Sequence, residues 1–333
     1  MGDITLYKLA DILFRRAQAR LRAAPDPDTE AWLNFIYAVY LSGRGEWDSA
    51  IELLNESVRL SSETGSLLLW VEAHEYRGYA LYLQSRYAEA MDSFQKSARV
   101  AIRDGYVQWM GRFHIAMSRL LMLQGKTEAA KAQYFEHEDQ IKMALRTGDQ
   151  RVHHIADNAF LTECYMRCEQ WDDALKSAQK LTHLLTVSQN ISSVLAGAAS
   201  ASIVLYLTLW EQGNAQYAKI AHDTLRIYRQ RYRRNHEIGK PVEYTYRCWY
   251  HWLNHDEKRA RQMGAMAIQA AENYKMPYFE ALAHYHLGRF MSPDDPERAT
   301  HLAHAHRLFE QIGAAYDAER VLKTVSPIAS DTV

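Results

Sequence analysis

The chain has 333 residues, and its 39 Lys and Arg against 40 Asp and Glu leave a formal charge of -1, so no global field marks it for a polyanion. Seven Pro and fifteen Gly are few for this length, while 48% of the residues are apolar and 21 are Tyr, a mix that excludes disorder and collagen. A chain of this size admits either two domains or one long repeat array.

Three cysteines, Cys164, Cys168 and Cys248, and the lack of a charged-then-apolar leader predict a reducing cytoplasm, where the N-x-[ST] triplets at Asn55 and Asn190 have no role. Along the chain, Ile4 to Arg22 reads as a helix within a capping segment over 1–30. Related segments then recur: GEWDSAIELLNESVRL from Gly45, SRYAEAMDSFQKSARV from Ser85 and GKTEAAKAQYFEHEDQ from Gly125. Further copies start at Glu169, Gly213, His255 and Asp295. Their anchoring small residues are Ala50, Ala90, Ala130, Ala174, Ala218, Ala260 and Ala299, spaced by 40, 40, 44, 44, 42 and 39 residues. A small residue where two helices cross, followed four places later by Leu54, Phe94 or Tyr134 to fill the space beside it, is a helical-pair pattern. Gly65, Gly105 and Gly148 close the first three units, because Gly ends helices at low steric cost.

The predicted fold is all-α: a right-handed superhelical solenoid of about seven antiparallel helix pairs over 1–325. The pairs span about 31–65, 66–105, 106–148, 149–190, 191–238, 239–276 and 277–313, with a capping helix over 314–325 and a loose tail over 326–333. Leu184 to Trp210 carries no Asp, Glu, Lys or Arg, but its Ser, Thr, Asn and Gln and the run from Ala196 to Ala199 predict a buried helix, not a membrane span.

The pattern through Gly78, Tyr87, Ala90 and Phe94 resembles the tetratricopeptide repeat. Ser97 stands where that family closes on Ala, Leu81 where it has Tyr, and His74 and Arg77 where it has Trp and Leu. Other copies keep Gly45, Trp47 and Ala50, Gly125, Ala130 and Tyr134, and Trp171 and Ala174. The period of about 40, against about 34 in the family, is similar to the longer-helixed variety of bacterial signalling proteins. Leu287 to Val321 resembles the closing segment of the helical-repeat arms of bacterial ATPase-cyclase and ATPase-kinase fusions. The resemblance implies a non-catalytic arm or a free-standing relative, without the catalytic domains of those families.

The residues themselves give little sign of catalysis. Gly125-Lys126-Thr127 lacks the Gly five places earlier that a phosphate-cradling loop needs, since Leu120 stands there, and reads as a turn. His301 and His304, three apart, can share a helix face while His306 points elsewhere, and His284 and His286 lie on the preceding helix; without a carboxylate in the cluster or an H-E-x-x-H they read as packing and surface histidines, so no metal or cofactor is expected. Cys164 and Cys168 read as small core residues. No G-x-S-x-G elbow or Gly-rich dinucleotide turn occurs.

Binding is the expected function. First helices of such pairs line a concave face, and the inward row includes Trp32, Phe35, Glu72, Glu75, Tyr79, Tyr82, Arg112, Ile115, Arg119, Met122, Glu163, Ile203, Leu207, Trp210, Trp249, Trp252, Tyr285 and Arg289. From it, the expected groove site is Glu75, Tyr79, Tyr82, Arg112, Arg119, Trp210, Trp249, Trp252 and Arg289, since aromatics and Arg concentrate recognition energy. The Lys and Asn clamp of chaperone-type repeats is absent, the equivalent places being Phe35, Val39, Glu72, Tyr76, Arg112 and Ala116. A second surface is the basic stretch 226–240, carrying Arg226, Arg229, Arg231, Arg233 and Arg234 interleaved with Tyr228 and Tyr232, which fits a plain solvated helix first, then an acidic protein face and, behind that, nucleic acid. The expected role is thus a protein- or peptide-binding scaffold or sensor in bacterial signal transduction. The alternatives are a peptide-responsive regulator of a response regulator or transcription factor, and nucleic-acid binding through 226–240.

Overall fold

The structure, a computed structural model, describes residues 3–146, 151–188 and 191–325. The expected tail over 326–333, the break at Gly148 and the Asn190 triplet lie outside the described residues. Among those residues every regular element is helical, and the chain is all-α.

After α1 (Asp3–Ala23), neighbouring helices pack in consecutive pairs. They are α2 (Pro27–Arg44) with α3 (Trp47–Thr64), and α4 (Leu67–Leu83) with α5 (Tyr87–Arg103). Then α6 (Val107–Leu123) packs on a second helix broken into α7 (Thr127–Phe135) and α8 (Glu138–Leu145). Next come α9 (Arg151–Arg167) with α10 (Trp171–Val187), and α11 (Ala201–Glu211) with α12 (Tyr217–Tyr228). The remaining helices are α13 (Gly239–Leu253) with α14 (Glu257–Asn273), α15 (Pro277–Phe290) with α16 (Pro296–Gln311), and α17 (Ala315–Val325). None of the described helices is long and apolar enough to cross a membrane.

The turn inside a pair repeats at the level of the backbone. Gly45, Gly125 and Gly213 take left-handed φ, and so do Ser85, Glu169 and His255 at the corresponding places. A left-handed residue satisfies the last carbonyls of the first helix and reverses the chain, and a non-Gly residue there is strained. The last pair differs: Asp295 caps α16 by accepting from the Glu297 amide at 2.9 Å, with Pro296 behind it. That change of turn moves the anchor. Ala50, Ala90, Ala130, Ala174 and Ala260 are fully buried, but Ala299 is exposed, and Leu302 takes the crossing instead, packed so close that a Cβ on Gly288 would stand 2.8 Å from it. Ala218 is only half-buried, and Ala221 one turn on is the buried residue.

The charge-free stretch departs most from its reading as a helix. Two 3₁₀ turns, Ser193–Leu195 and Ala198–Ser200, precede α11, which starts only at Ala201. Segment 191–200 is almost entirely buried and contacts α2, α4 and α9. Its backbone is strapped from outside, because Tyr228 Oη donates to the Ala196 carbonyl (3.2 Å), Tyr232 Oη to the Ser193 carbonyl (2.5 Å), and His236 Nε2 lies 2.7 Å from the Ile191 carbonyl. Non-helical backbone is tolerated in the interior when its polar groups find such partners.

Early turns also meet late helices. Trp47 Nε1 donates to the Tyr274 carbonyl at 2.5 Å, and Asp48 pairs with Lys275 at 2.8 Å. Gly45 is needed twice over, for its φ of 78° and because a Cβ would stand 2.6 Å from the Tyr274 ring. The Tyr278 amide donates to Ser85 Oγ (3.3 Å), the backbone at Gly125 abuts α17, and Arg167 lies 3.8 Å over the Tyr316 ring. The first four pairs are therefore laced, turn by turn, to α15, α17 and the turn between α14 and α15.

Candidate functional site

The residues of the expected groove fall into separate clusters. Glu75 is 2% exposed and its carboxylate meets Arg112 Nε at 2.7 Å, while Arg112 lies over the Tyr76 ring. Burial pushes the Glu75 carboxyl up to about 7 against the opposing pull of Arg112. Arg119 pairs with Glu163 at 3.1 Å. Tyr79 and Tyr82 face the buried segment: with Ile115, Ala116 and Arg119 they surround Val194, Leu195 and Ala198, leaving a void of only about 20 Å³. In the N-terminal half, the place where a groove was expected is occupied by residues 191–200.

Trp249 and Arg289 do come together. Arg289 forms a two-pronged pair with Glu211 (2.8 and 2.9 Å), its guanidinium lies 4.6 Å over the Trp249 ring, and the Trp249 indole donates to Glu211 at 2.8 Å. Trp210 and Trp252 stand apart from this group. Trp210 packs against Tyr250 with ring centroids 5.3 Å apart, and Trp252 stacks on Phe290 in a small cluster with Cys248, Leu287 and Met291.

Beyond the buried segment the interior remains open as a cavity of about 380 Å³. Its walls come from α9, α10, α11, α13, α15 and α17, with Trp171, Tyr246, Trp249, Tyr278 and Tyr316 as the aromatic surfaces. Glu163, Arg167, Asp317 and Arg320 supply charges of both signs. Asp317 accepts from Arg320 (2.8 Å) and from the Tyr278 hydroxyl (3.1 Å). His286, also in the wall, is stacked on Trp249 at 4.7 Å and accepts from Arg289 Nε at 3.2 Å. Its burial first, then the nearby Arg289 and Arg320, holds its pKa well below the usual imidazole range, so it is neutral. The Thr208 hydroxyl is bonded to the Val204 carbonyl at 2.8 Å. The lining thus offers large flat apolar faces and paired charges that can exchange partners with a ligand.

Sequence reasoning included Trp249 and Glu163 in the inward row but missed Tyr246, Tyr278, Tyr316 and Arg320. Tyr316 and Arg320 lie on α17, read only as a cap. A helix that ends an array with an aromatic and an Arg four apart, on one face, was the available signal.

The basic stretch forms a second feature. Helix α12 ends at Tyr228 and a π-helical turn, Arg229–Arg233, follows. This puts Tyr228 and Tyr232 inward on segment 191–200 and turns Arg226, Arg229, Arg233 and Arg234 outward, where with Arg247 and His222 they line a concavity of about 590 Å³. Arg231 is not in that lining. The expectation that the interleaved tyrosines share the surface is corrected, since both are almost fully buried. One acid lies beneath the arginines: Glu243, 2% exposed, meets Arg247 (2.7 Å), Arg233 (3.5 Å) and Arg229 (3.8 Å). Asp223 also pairs with Arg226 at 3.4 Å, and two carboxylates against five arginines leave the concavity positive.

No protein-family model matches the chain, and no curated protein matches it.

Proposed function

We propose that the chain is a non-catalytic binding module: a tetratricopeptide-like right-handed superhelix of about seven antiparallel pairs that takes a short peptide or chain end in its interior cavity. The setting we infer is bacterial signal transduction in the cytoplasm. The observation that carries this reading is the cavity itself, about 380 Å³ between α9, α11, α13, α15 and α17, walled by aromatics and by mixed, paired charges. Its walls belong to early and late helices at once, so a ligand that fills it acts on the contacts that join them, such as Arg167 on Tyr316.

A peptide array probed with the full chain tests this. Captured peptides should be weakened at least about tenfold by Trp171→Ala or Tyr316→Ala. They should be unaffected by Arg234→Ala, which lies on the other surface. Capture that ignores both cavity variants would sink the reading. A second reading, an acidic protein segment held by Arg226, Arg229, Arg233, Arg234 and Arg247, is favoured by their convergence on one concavity.

A further inference from the structure

Helices α15 and α16 bring together a group of side chains that neither the cavity nor the basic concavity uses. Glu280 and His284 are four apart on α15, and His301 and His304 are three apart on α16, so each pair projects from one face of its helix. The two faces meet. Glu280, His284 and His304 each present a ligand-type atom within 4.8 Å of the other two, all half-buried. His304 Nε2 is 3.3 Å from Glu280 Oε1, and His284 Nδ1 is 2.8 Å from His301 Nδ1. The His284 and His304 rings lie 4.3 Å apart at 30°.

We propose that Glu280, His284 and His304 form a binding site for a dication of the zinc class, with His301 as a positioning residue that holds the His284 ring through the 2.8 Å contact between their Nδ1 atoms. Tetrahedral bonds of about 2.0–2.1 Å put ligand atoms roughly 3.3 Å apart, the separation of His304 Nε2 and Glu280 Oε1 and within the 4.8 Å that spans the three groups. Two imidazoles and one carboxylate select Zn²⁺, Ni²⁺ or Co²⁺ over Mg²⁺ or Ca²⁺, which take oxygen ligands.

A neighbouring cation is Arg307, whose Nη2 is 2.8 Å from His304 Nδ1. It occupies the nitrogen that faces away from Glu280 and leaves Nε2 for the ion, while its charge opposes a dication. Bound metal would pin α15 to α16 and so fix the cavity wall that α15 provides through Tyr278, Leu282 and His286.

Calorimetric titration of the metal-stripped full chain with Zn²⁺ and, separately, Ni²⁺ at neutral pH tests the site. One equivalent is expected, with His284→Ala, His304→Ala and Glu280→Gln each weakening binding at least about tenfold. Arg307→Ala should tighten it. His306→Ala, on the same helix but facing Glu310 at 3.4 Å, should change nothing, and nor should the Cys164→Ser/Cys168→Ser double variant. The melting temperature should rise with Zn²⁺ concentration in the wild type and stay flat in His284→Ala/His304→Ala, whose circular dichroism confirms folding. No binding by the wild type, wild-type binding by the two His variants, or binding lost only with the cysteines would each overturn the proposal.

Discussion

Leu195→Ala examines the buried segment directly. Leu195 is 2% exposed and sits, with Val194 and Ala198, against Tyr79, Tyr82, Ile115 and Ala116, where only about 20 Å³ of free volume remains. Truncating a buried Leu costs about 2–5 kcal/mol, and the value depends on how far the walls collapse into the space. Here the walls belong to α4, α6 and α9, each held by its own partner helix, so collapse is restricted and the upper half of the range, about 3–5 kcal/mol, applies. For a chain of this length each kcal/mol lowers the melting temperature by about 2 °C, which gives a drop of about 6–10 °C. Urea denaturation of wild type and variant reads the stability, and hydrogen exchange of the peptide covering 191–200 reads the docking. In the wild type that peptide should exchange only with global unfolding. A loss below about 1 kcal/mol, or free exchange of 191–200 in the wild type, would refute the role assigned to it.

Acid sensitivity is the next expectation. Burial pushes His74 down to about 4 and His153 down to about 3, so the unfolded chain takes up protons below about pH 6.5 that the folded chain refuses. Stability is then full above that pH and falls toward acid, by up to about 2 kcal/mol per histidine at about pH 5. Glu75, pushed up to about 7, works the other way, its contribution being full below the ordinary carboxyl range and lost as pH rises through 7. Urea midpoints of His74→Gln/His153→Gln should depend less on pH than those of the wild type, and an unchanged slope would contradict the assignment. For the basic concavity, fluorescent polyglutamate should bind, weaken steeply with salt, and lose about tenfold with Arg233→Ala/Arg234→Ala. Salt-independent binding would discard the acidic-segment reading, and preference for an oligonucleotide would redirect it to nucleic acid.

The helical class and the pairing of neighbours were legible because each crossing leaves a small residue in a fixed place. Ala50, Ala90, Ala130, Ala174 and Ala260 are all fully buried. Where a turn changed length or capping, as before Ala218 and Ala299, the same letter marked the wrong turn of the helix. The interior was not legible. An apolar run rich in Ser and Ala is compatible with a buried helix or a buried strap, and what decides between them is distant: hydroxyls of Tyr228 and Tyr232 that satisfy its carbonyls from 32 and 39 residues away. The inward row read from first helices contained Glu163 and Trp249, two residues of the cavity, yet periodicity within one helix carries no information about what fills the space in front of it. The histidines on α15 and α16 show the same gap, since spacing gives the faces and only packing gives the distance between them.

The contact of Trp47 and Asp48 with Tyr274 and Lys275 bears on how such a chain can change over time. An open stack of helix pairs gains or loses a unit without disturbing the rest, because each touches only its neighbours. Here the turn of the first pair meets a residue 227 positions away. Deleting or duplicating one internal pair would shift every later turn by a whole unit and leave the Trp47 indole facing the wrong element. The number of pairs is therefore set by geometry, and length variation in relatives should collect outside the span from Gly45 to Tyr316 or in the turns that face solvent.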